Sequence, residues 1–359
     1  MSEIRQDKLT EQWVIFAPER AQRPHPPVPQ AAGKGSPAEF DANCPFCVGN
    51  ENMLPSVLLE KQKRSPVSSS KPKQGEHNWQ TRVVPNKYPV LTAEAETAGS
   101  NRGVYLVAAG YGRHEVIIES PLHSRDIPAM SVNEVETVID TYLDRYNTIY
   151  AEHRDILTVI LFRNHGQMAG TSLVHPHSQL VAMGIVPARI ANRQNVAERY
   201  FSQENRCLMC DIIEFEQDHA QRLVFENNSF IAFVPFAAAV PFEVLIVPKE
   251  HSSDFGAIGP EDVSDLASAL MSVLSGLRQE ADDPDYNYIF QTYSRQHKPS
   301  PSLHWYVQIR PKLGIPAGFE IGSGISVNHS LPEQDAQRLR EAIEQSKNNE
   351  VKQKTQAPD

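Results

Sequence analysis

Four cysteines stand in the 359-residue chain as two pairs, Cys44-Pro-Phe-Cys47 and Cys207-Leu-Met-Cys210, with no thiol left over. Two thiolates at this spacing suit a metal ion or a redox couple before a disulfide framework. A lone CPFC leaves that choice even, and a lone histidine is usually just a polar surface or core residue. Here each pair is followed by two histidines at matching places, His123 and His175 after the first and His251 and His304 after the second. Two Cys plus two His is a donor set for tetrahedral zinc. With four protein ligands apiece, two closed, structural zinc sites are expected. A zinc-ribbon nucleic-acid module is the rival, and the long segments between the ligands count against it.

The sharpest local motif is Asn164-His-Gly-Gln-Met-Ala-Gly-Thr-Ser172-Leu-Val-His175-Pro-His177-Ser-Gln179. On a strand, residues two apart share a face, so His175, His177 and Gln179 are expected to point the same way. With His175 tied to metal, His177 is the next position on that face and stays free. A metal anchored two residues away holds the neighbouring imidazole rigid, as a nucleophile requires. Gly166, Gly170, Thr171 and Ser172 offer small residues and backbone N–H groups suited to phosphate oxygens. Gln179 can donate to a non-bridging oxygen as charge develops there.

These side chains need elements to hold them. Ser131 to His153 carries Val135, Val138, Ile139, Tyr142, Leu143 and Tyr146 on one helical stripe, with Ser131 and Glu134 as a capping box. Pro260 to Ala281 repeats the spacing with Val263, Leu266, Leu270, Leu274 and Leu277. Short apolar runs at 116–120, 157–162, 243–248 and 287–290 read as strands. Residues 24–40, 61–77 and 92–101 read as loops. The segment from Val116 through His123 and Asp126 to Met130 aligns without a gap on Val244 through His251 and Asp254 to Ile258. Each half therefore carries C-x-x-C, a strand leading to His-Ser, a long helix and a further His. The expected fold is α+β: two duplicated halves, each a mainly antiparallel sheet with one long helix, forming one pseudo-symmetric unit. Its parts are an N-terminal catalytic half (1–190), a C-terminal non-catalytic half (191–345) and a flexible tail (346–359). The repeat also supplies a control, because His175-x-His177 in the first half becomes His304-x-Tyr306 in the second. The metal position is kept and the nucleophile is gone.

A net charge of −10 gives no general attraction to a nucleic-acid backbone. The longest apolar run, Phe230 to Phe242, holds two prolines and is too short and broken to span a bilayer. The N-terminus lacks the order of a signal peptide, so a cytoplasmic location is expected.

Taken together these motifs resemble the galactose-1-phosphate uridylyltransferase family, a branch of the histidine-triad superfamily, from about residue 5 to about residue 345. The likeness is carried by Trp13-Val-Ile-Phe-Ala-Pro-Glu-Arg20-Ala-Gln-Arg23-Pro, CPFC, Arg82-Val-Val-Pro-Asn86, His123-Ser and HPHSQ. It implies a ping-pong transfer in which His177 attacks the α-phosphorus of a nucleotide sugar and expels a sugar 1-phosphate. By the same resemblance Gln179, Ser172, Asn164 and Arg23 contact the transferring phosphate and Arg20 lies near the phosphates. Asn86 and Phe46 lie near the nucleoside. The resemblance further implies a homodimer whose partner chain contributes to the sugar subsite.

Three features depart from the galactose enzymes: Cys207-Leu-Met-Cys210 in place of a carboxylate-containing second site, Lys87 in place of an acidic residue, and Gly318-Phe-Glu320-Ile-Gly322-Ser323-Gly324 as the hexose-contacting segment. Gly322 is the expected substrate contact there. These features look more like the subgroup that includes plant ADP-glucose phosphorylases. The leading expectation is a UDP-glucose–hexose-1-phosphate uridylyltransferase. The alternatives are an ADP-sugar phosphorylase using inorganic phosphate and the same histidine, a histidine-triad hydrolase, and a non-catalytic zinc-stabilised nucleotide-binding protein.

Overall fold

Ten of the short strands join in one antiparallel sheet. The computed structural model describes residues 2–22, 38–62, 78–94, 99–295 and 299–356. The strands up to residue 190 are β1 (Glu3–Gln6), β2 (Trp13–Phe16), β3 (Leu59–Gln62), β4 (Trp79–Pro85), β5 (Gly99–Arg102), β6 (Tyr105–Ala108), β7 (Gly112–Ile118), β8 (Thr158–His165) and β9 (His177–Met183). The remainder are β10 (Leu223–Glu226), β11 (Phe230–Phe233), β12 (Val244–Pro248), β13 (Tyr286–Gln291), β14 (Tyr306–Pro311) and β15 (Ser326–Asn328). The helices are α1 (Val132–Glu152), α2 (Ala188–Glu204), α3 (Leu208–His219), α4 (Pro260–Ala281), α5 (Gly318–Ser323) and α6 (Pro332–Gln356).

The sheet order is β10-β11-β12-β14-β13-β8-β9-β7-β4-β3. Strands of the first and second halves of the chain fill five adjacent places each, and β8 meets β13 at the centre with Tyr286 opposite His165. The halves therefore do not keep separate sheets. Joining them pairs backbone groups that two free edges would leave open.

The two expected helices form where the stripes place them. α1 begins after Ser131, whose N–H donates to the Glu134 carboxylate at 2.8 Å, and α4 runs from Pro260 to Ala281. Val135, Val138, Ile139 and Tyr142 of α1 share one buried core with Val263, Leu266, Leu270 and Leu274 of α4. Ile117, Leu161, Leu180, Tyr288 and Phe290 meet them from the sheet. Residues paired across strands share a face, so this packing leaves His177, Gln179, Tyr306 and Gln308 on the opposite one.

Three sequence expectations change. Lys61 and Gln62, read as the start of a loop, complete β3, and 99–101 belong to β5; residues 24–37, 63–77 and 95–98 lie outside the described residues. Residues 346–356, read as tail, continue α6, since neither Gly nor Pro interrupts the segment before Pro358. No helix among the described residues is long and apolar enough to cross a membrane.

Candidate active site

The first cysteine pair lies in a turn-rich segment buried against β4 and β7, with Phe46 packed beside Trp79, Val84 and Ile118. Cys44 Sγ is 3.7 Å from His175 Nδ1, Cys47 Sγ is 3.6 Å from the same nitrogen, and Cys47 Sγ is 3.3 Å from His123 Nδ1. The second set has the same form: Cys207 Sγ to His304 Nδ1 at 3.8 Å, and Cys210 Sγ to His304 Nδ1 and His251 Nδ1 at 3.6 and 3.5 Å. Tetrahedral bonds of about 2.3 Å to sulfur and about 2.0 Å to nitrogen place neighbouring ligands roughly 3.6 Å apart, so both groups fit a metal ion. The outer nitrogens agree. His175 Nε2–H donates to the Ser120 carbonyl at 2.7 Å, His304 Nε2–H to Pro248 at 3.0 Å, and His251 Nε2–H to Ser300 at 2.9 Å. Each bond turns Nδ1 and its lone pair toward the cysteines. Burial pushes the Cys44 thiol up to about 11, a cost that a cation between the sulfurs would offset.

A third acidic and histidine group, Asp126, His165 and Asp283, also draws together. Arg278 occupies it, paired to Asp126 and to Asp283 at 3.0 Å. This is an ion-pair network tying α4 to the loop before α1.

His175 is not on the strand. β9 starts at His177, because Pro176 has no N–H to give the ladder, and His175 sits in the bend before it. The shared face holds for His177 and Gln179. His177 is buried, and its Nδ1–H donates back to the His175 carbonyl at 2.8 Å. That bond assigns the proton to Nδ1 and leaves Nε2 with its lone pair free. Burial holds the ring's pKa below its ordinary value, favouring the neutral imidazole. The Phe46 ring packs edge-on at 5.4 Å from His177 and 5.8 Å from His175.

Beneath β9, on the helix side, lies a buried polar cluster that the sequence did not announce. Glu119 and Arg163 form a fully buried ion pair, and the Glu119 carboxylate also accepts from Ser178 and from Tyr142 at 2.6 Å. Tyr288 OH reaches it at 3.2 Å from β13. Ser178 stands between His177 and Gln179, so the cluster pins the strand at the point where both are carried. Removing one partner of such a pair leaves an uncompensated buried charge. Glu119→Ala is expected to cost about 3–5 kcal/mol in urea unfolding. A loss below about 1 kcal/mol would show that Arg163 finds other partners.

The phosphate-loop candidates occupy the connection from β8 to β9. Gly166 has φ +83, in the left-handed region, and a Cβ there would collide with the Asp285 carboxylate, so only glycine fits. Asp285 accepts the Met168 N–H and anchors the turn. Asn164 Oδ1 accepts from Asn287 Nδ2 at 2.8 Å, and Ser172 is exposed on the loop. Asn86 joins the His177 face through a residue that sequence reasoning missed: His114 on β7 lies within hydrogen-bond reach of both Asn86 and Gln179. Arg20 follows β2 and Gly322 lies in α5 just before β15, in the separate sheet β1-β2-β15. Arg23 lies outside the described residues.

In the second half, a cavity of about 630 Å³ faces the same side of the sheet, lined by Tyr306, Gln308, Arg310, Arg193 and Trp13 among others. Tyr306 stands where the first half has His177, and burial raises its phenol pKa far above the ordinary value. Near neutral pH this favours the neutral phenol.

The N-terminal domain of galactose-1-phosphate uridyl transferase matches residues 1–187, and the C-terminal domain of the same family matches 193–352. The chain belongs to this family. It is an enzyme of the nucleotidyltransferase class. The ADP-glucose phosphorylase of Arabidopsis thaliana is 34% identical over 343 residues, covering 94% of this chain and 92% of that one. The galactose-1-phosphate uridylyltransferase of Thermotoga maritima is 26% identical, covering 95% and 98%. In three dimensions the crystal structure of the Arabidopsis ADP-glucose phosphorylase with bound ADP-glucose superposes with a TM-score of 0.79 at 32% identity. The match covers 95% of this chain and 98% of that one.

Proposed function

We propose that this uridyl transferase family member moves a nucleotidyl group between a nucleotide sugar and a sugar 1-phosphate through a covalent nucleotidyl-His177. The observation that carries the reading is the bond from His177 Nδ1–H to the His175 carbonyl, which leaves Nε2 as the only lone pair of a fixed ring. In the first step Nε2 forms a bond to the α-phosphorus and the bond to the sugar 1-phosphate oxygen breaks. The proton stays on Nδ1, where the His175 carbonyl stabilises the positive charge of the ring. In the second step a phosphate oxygen of the acceptor forms the new bond to phosphorus and the N–P bond breaks. Gln179, the Gly166–Ser172 loop and Asn164 are the groups nearest this strand that can face phosphate oxygens. Phe46 and Asn86 bound the nucleoside side, Arg23 contacts the transferring phosphate with Arg20 near the phosphates, and Gly322 belongs to the hexose end. A homodimer, implied by the family resemblance, would let a partner chain complete the sugar subsite.

Zinc is the metal proposed for both Cys₂His₂ groups. It would be held by Cys44, Cys47, His123 and His175, and by Cys207, Cys210, His251 and His304, and would supply rigidity with no open position for substrate. The matched strand order of the halves supports a duplication, with an N-terminal half to about 190 and a C-terminal half from 191. Reduced cysteines of this kind suit the cytoplasm.

The family supports a uridine nucleotide and hexose 1-phosphate. A second reading, an adenine nucleotide with inorganic phosphate as acceptor, is favoured by Lys87, by the second cysteine pair and by the 34% identity to the Arabidopsis phosphorylase. Incubation with UDP-glucose or ADP-glucose labelled at the α-phosphate tests both. Acid-labile label should appear on the chain, and the faster substrate names the nucleotide. No label from either defeats the covalent mechanism.

A further inference from the structure

We propose that His114 is a positioning residue that fixes which end of the Gln179 carboxamide faces the transferring phosphate. The inference rests on nucleotidyl transfer through His177. Val90 N–H, which can only donate, lies 3.2 Å from His114 Nδ1. That nitrogen must therefore accept, and Nε2 must carry the proton. His114 Nε2–H then donates to Gln179 Oε1 at 2.8 Å. The carboxamide is thereby turned with its oxygen toward β7 and its NH₂ toward the open face. No acceptor among the described residues takes those hydrogens, and they are the donors a non-bridging phosphate oxygen needs.

The second half shows what happens without this histidine. Gln308 occupies the place of Gln179, and strand register puts Glu243 at the place of His114, since Val116 pairs with Gln179 as Leu245 pairs with Gln308 and His114 and Glu243 each stand two residues before the paired position. Gln308 Nε2 donates to Glu243 Oε1, and its oxygen accepts from Gln291 Nε2 at 2.6 Å. Both ends of that amide are consumed by protein. The half that loses the nucleophile at Tyr306 also loses the residue that would present a free amide.

Asn86 Nδ2 lies 3.1 Å from the same His114 nitrogen, while its oxygen accepts from Tyr88 N–H at 2.9 Å. With Nε2 protonated, this is a packing contact between two donors. It places Asn86 beside Gln179, so the nucleoside and phosphate contacts share one support.

The test uses His114→Phe, which keeps the ring and removes the donor, and His114→Gln, whose amide nitrogen can replace Nε2–H. Rapid-quench measurement of His177 labelling in the full-length enzyme should show His114→Phe slowed by about 10–100-fold, less than loss of an oxyanion donor itself. His114→Gln should recover most of the rate. In a Gln179→Ala background, His114→Phe should add nothing, because the two act as one unit. An unchanged His114→Phe rate, or equal losses in both backgrounds, overturns the proposal. Wild-type protein that takes no label overturns the transfer reading instead.

Discussion

His177→Ala should lose turnover by about 10⁴-fold or more and take no covalent label, while keeping its metal content and melting temperature. The magnitude follows from what is deleted. A nucleophile removed from a ping-pong enzyme leaves no intermediate to partition, so both half-reactions stop together. The stability expectation follows from the fold. Among the described residues His177 hydrogen-bonds only to a backbone carbonyl, takes no part in the Glu119 cluster and is not a ligand of either cysteine group. The comparison that matters is with His175→Ala, two residues away, which removes a shared partner of both Cys44 and Cys47. That variant should lose metal, stability and activity at once. Indistinguishable behaviour of the two would dissolve the division of labour along His175-Pro-His177.

The second large effect separates the two proposed zinc sites. Cys47→Ser and Cys210→Ser should each bind one metal per chain in place of two. Each should lower Tm on the order of 10 °C, since metal binding free energy is folding free energy. Activity should split them. The first site holds His175, whose carbonyl accepts from His177, the proposed nucleophile. Cys47→Ser should therefore slow labelling of His177 by about 10²-fold. The second site holds His304, whose neighbour on β14 is Tyr306, and Cys210→Ser should retain labelling at temperatures below its melting transition. Elemental analysis, calorimetry and label uptake on the same preparations measure all three. Two metals retained by Cys47→Ser, or matching losses of activity in both variants, would refute the assignment.

The sequence already held the donor sets, the helices α1 and α4 and the proposed nucleophile. Ligand chemistry is written in residue type, and Cys44 and Cys47 are brought together by local turns. The stripes of α1 and α4 are legible because helical periodicity is a property of neighbours three and four apart. His177 could be read because the second half offers Tyr306 in its place. His114 could not be read the same way, because the gap-free alignment sets it against Phe242, a residue of the helix-side core, and only strand register shows that Glu243 takes its place.

Tertiary structure decided the rest. Gln179 lies 65 residues from His114, and Glu119 lies 44 from Arg163; each pair meets only through the register of β7, β8 and β9. The start of β9 at His177 depended on Pro176 lacking an N–H, and the union of the halves depended on β8 pairing with β13. Residue type and short-range period fix what a side chain can do. Which distant partner it meets, and which of its atoms that partner leaves free, is fixed by strand register, and register is set by the whole buried face at once.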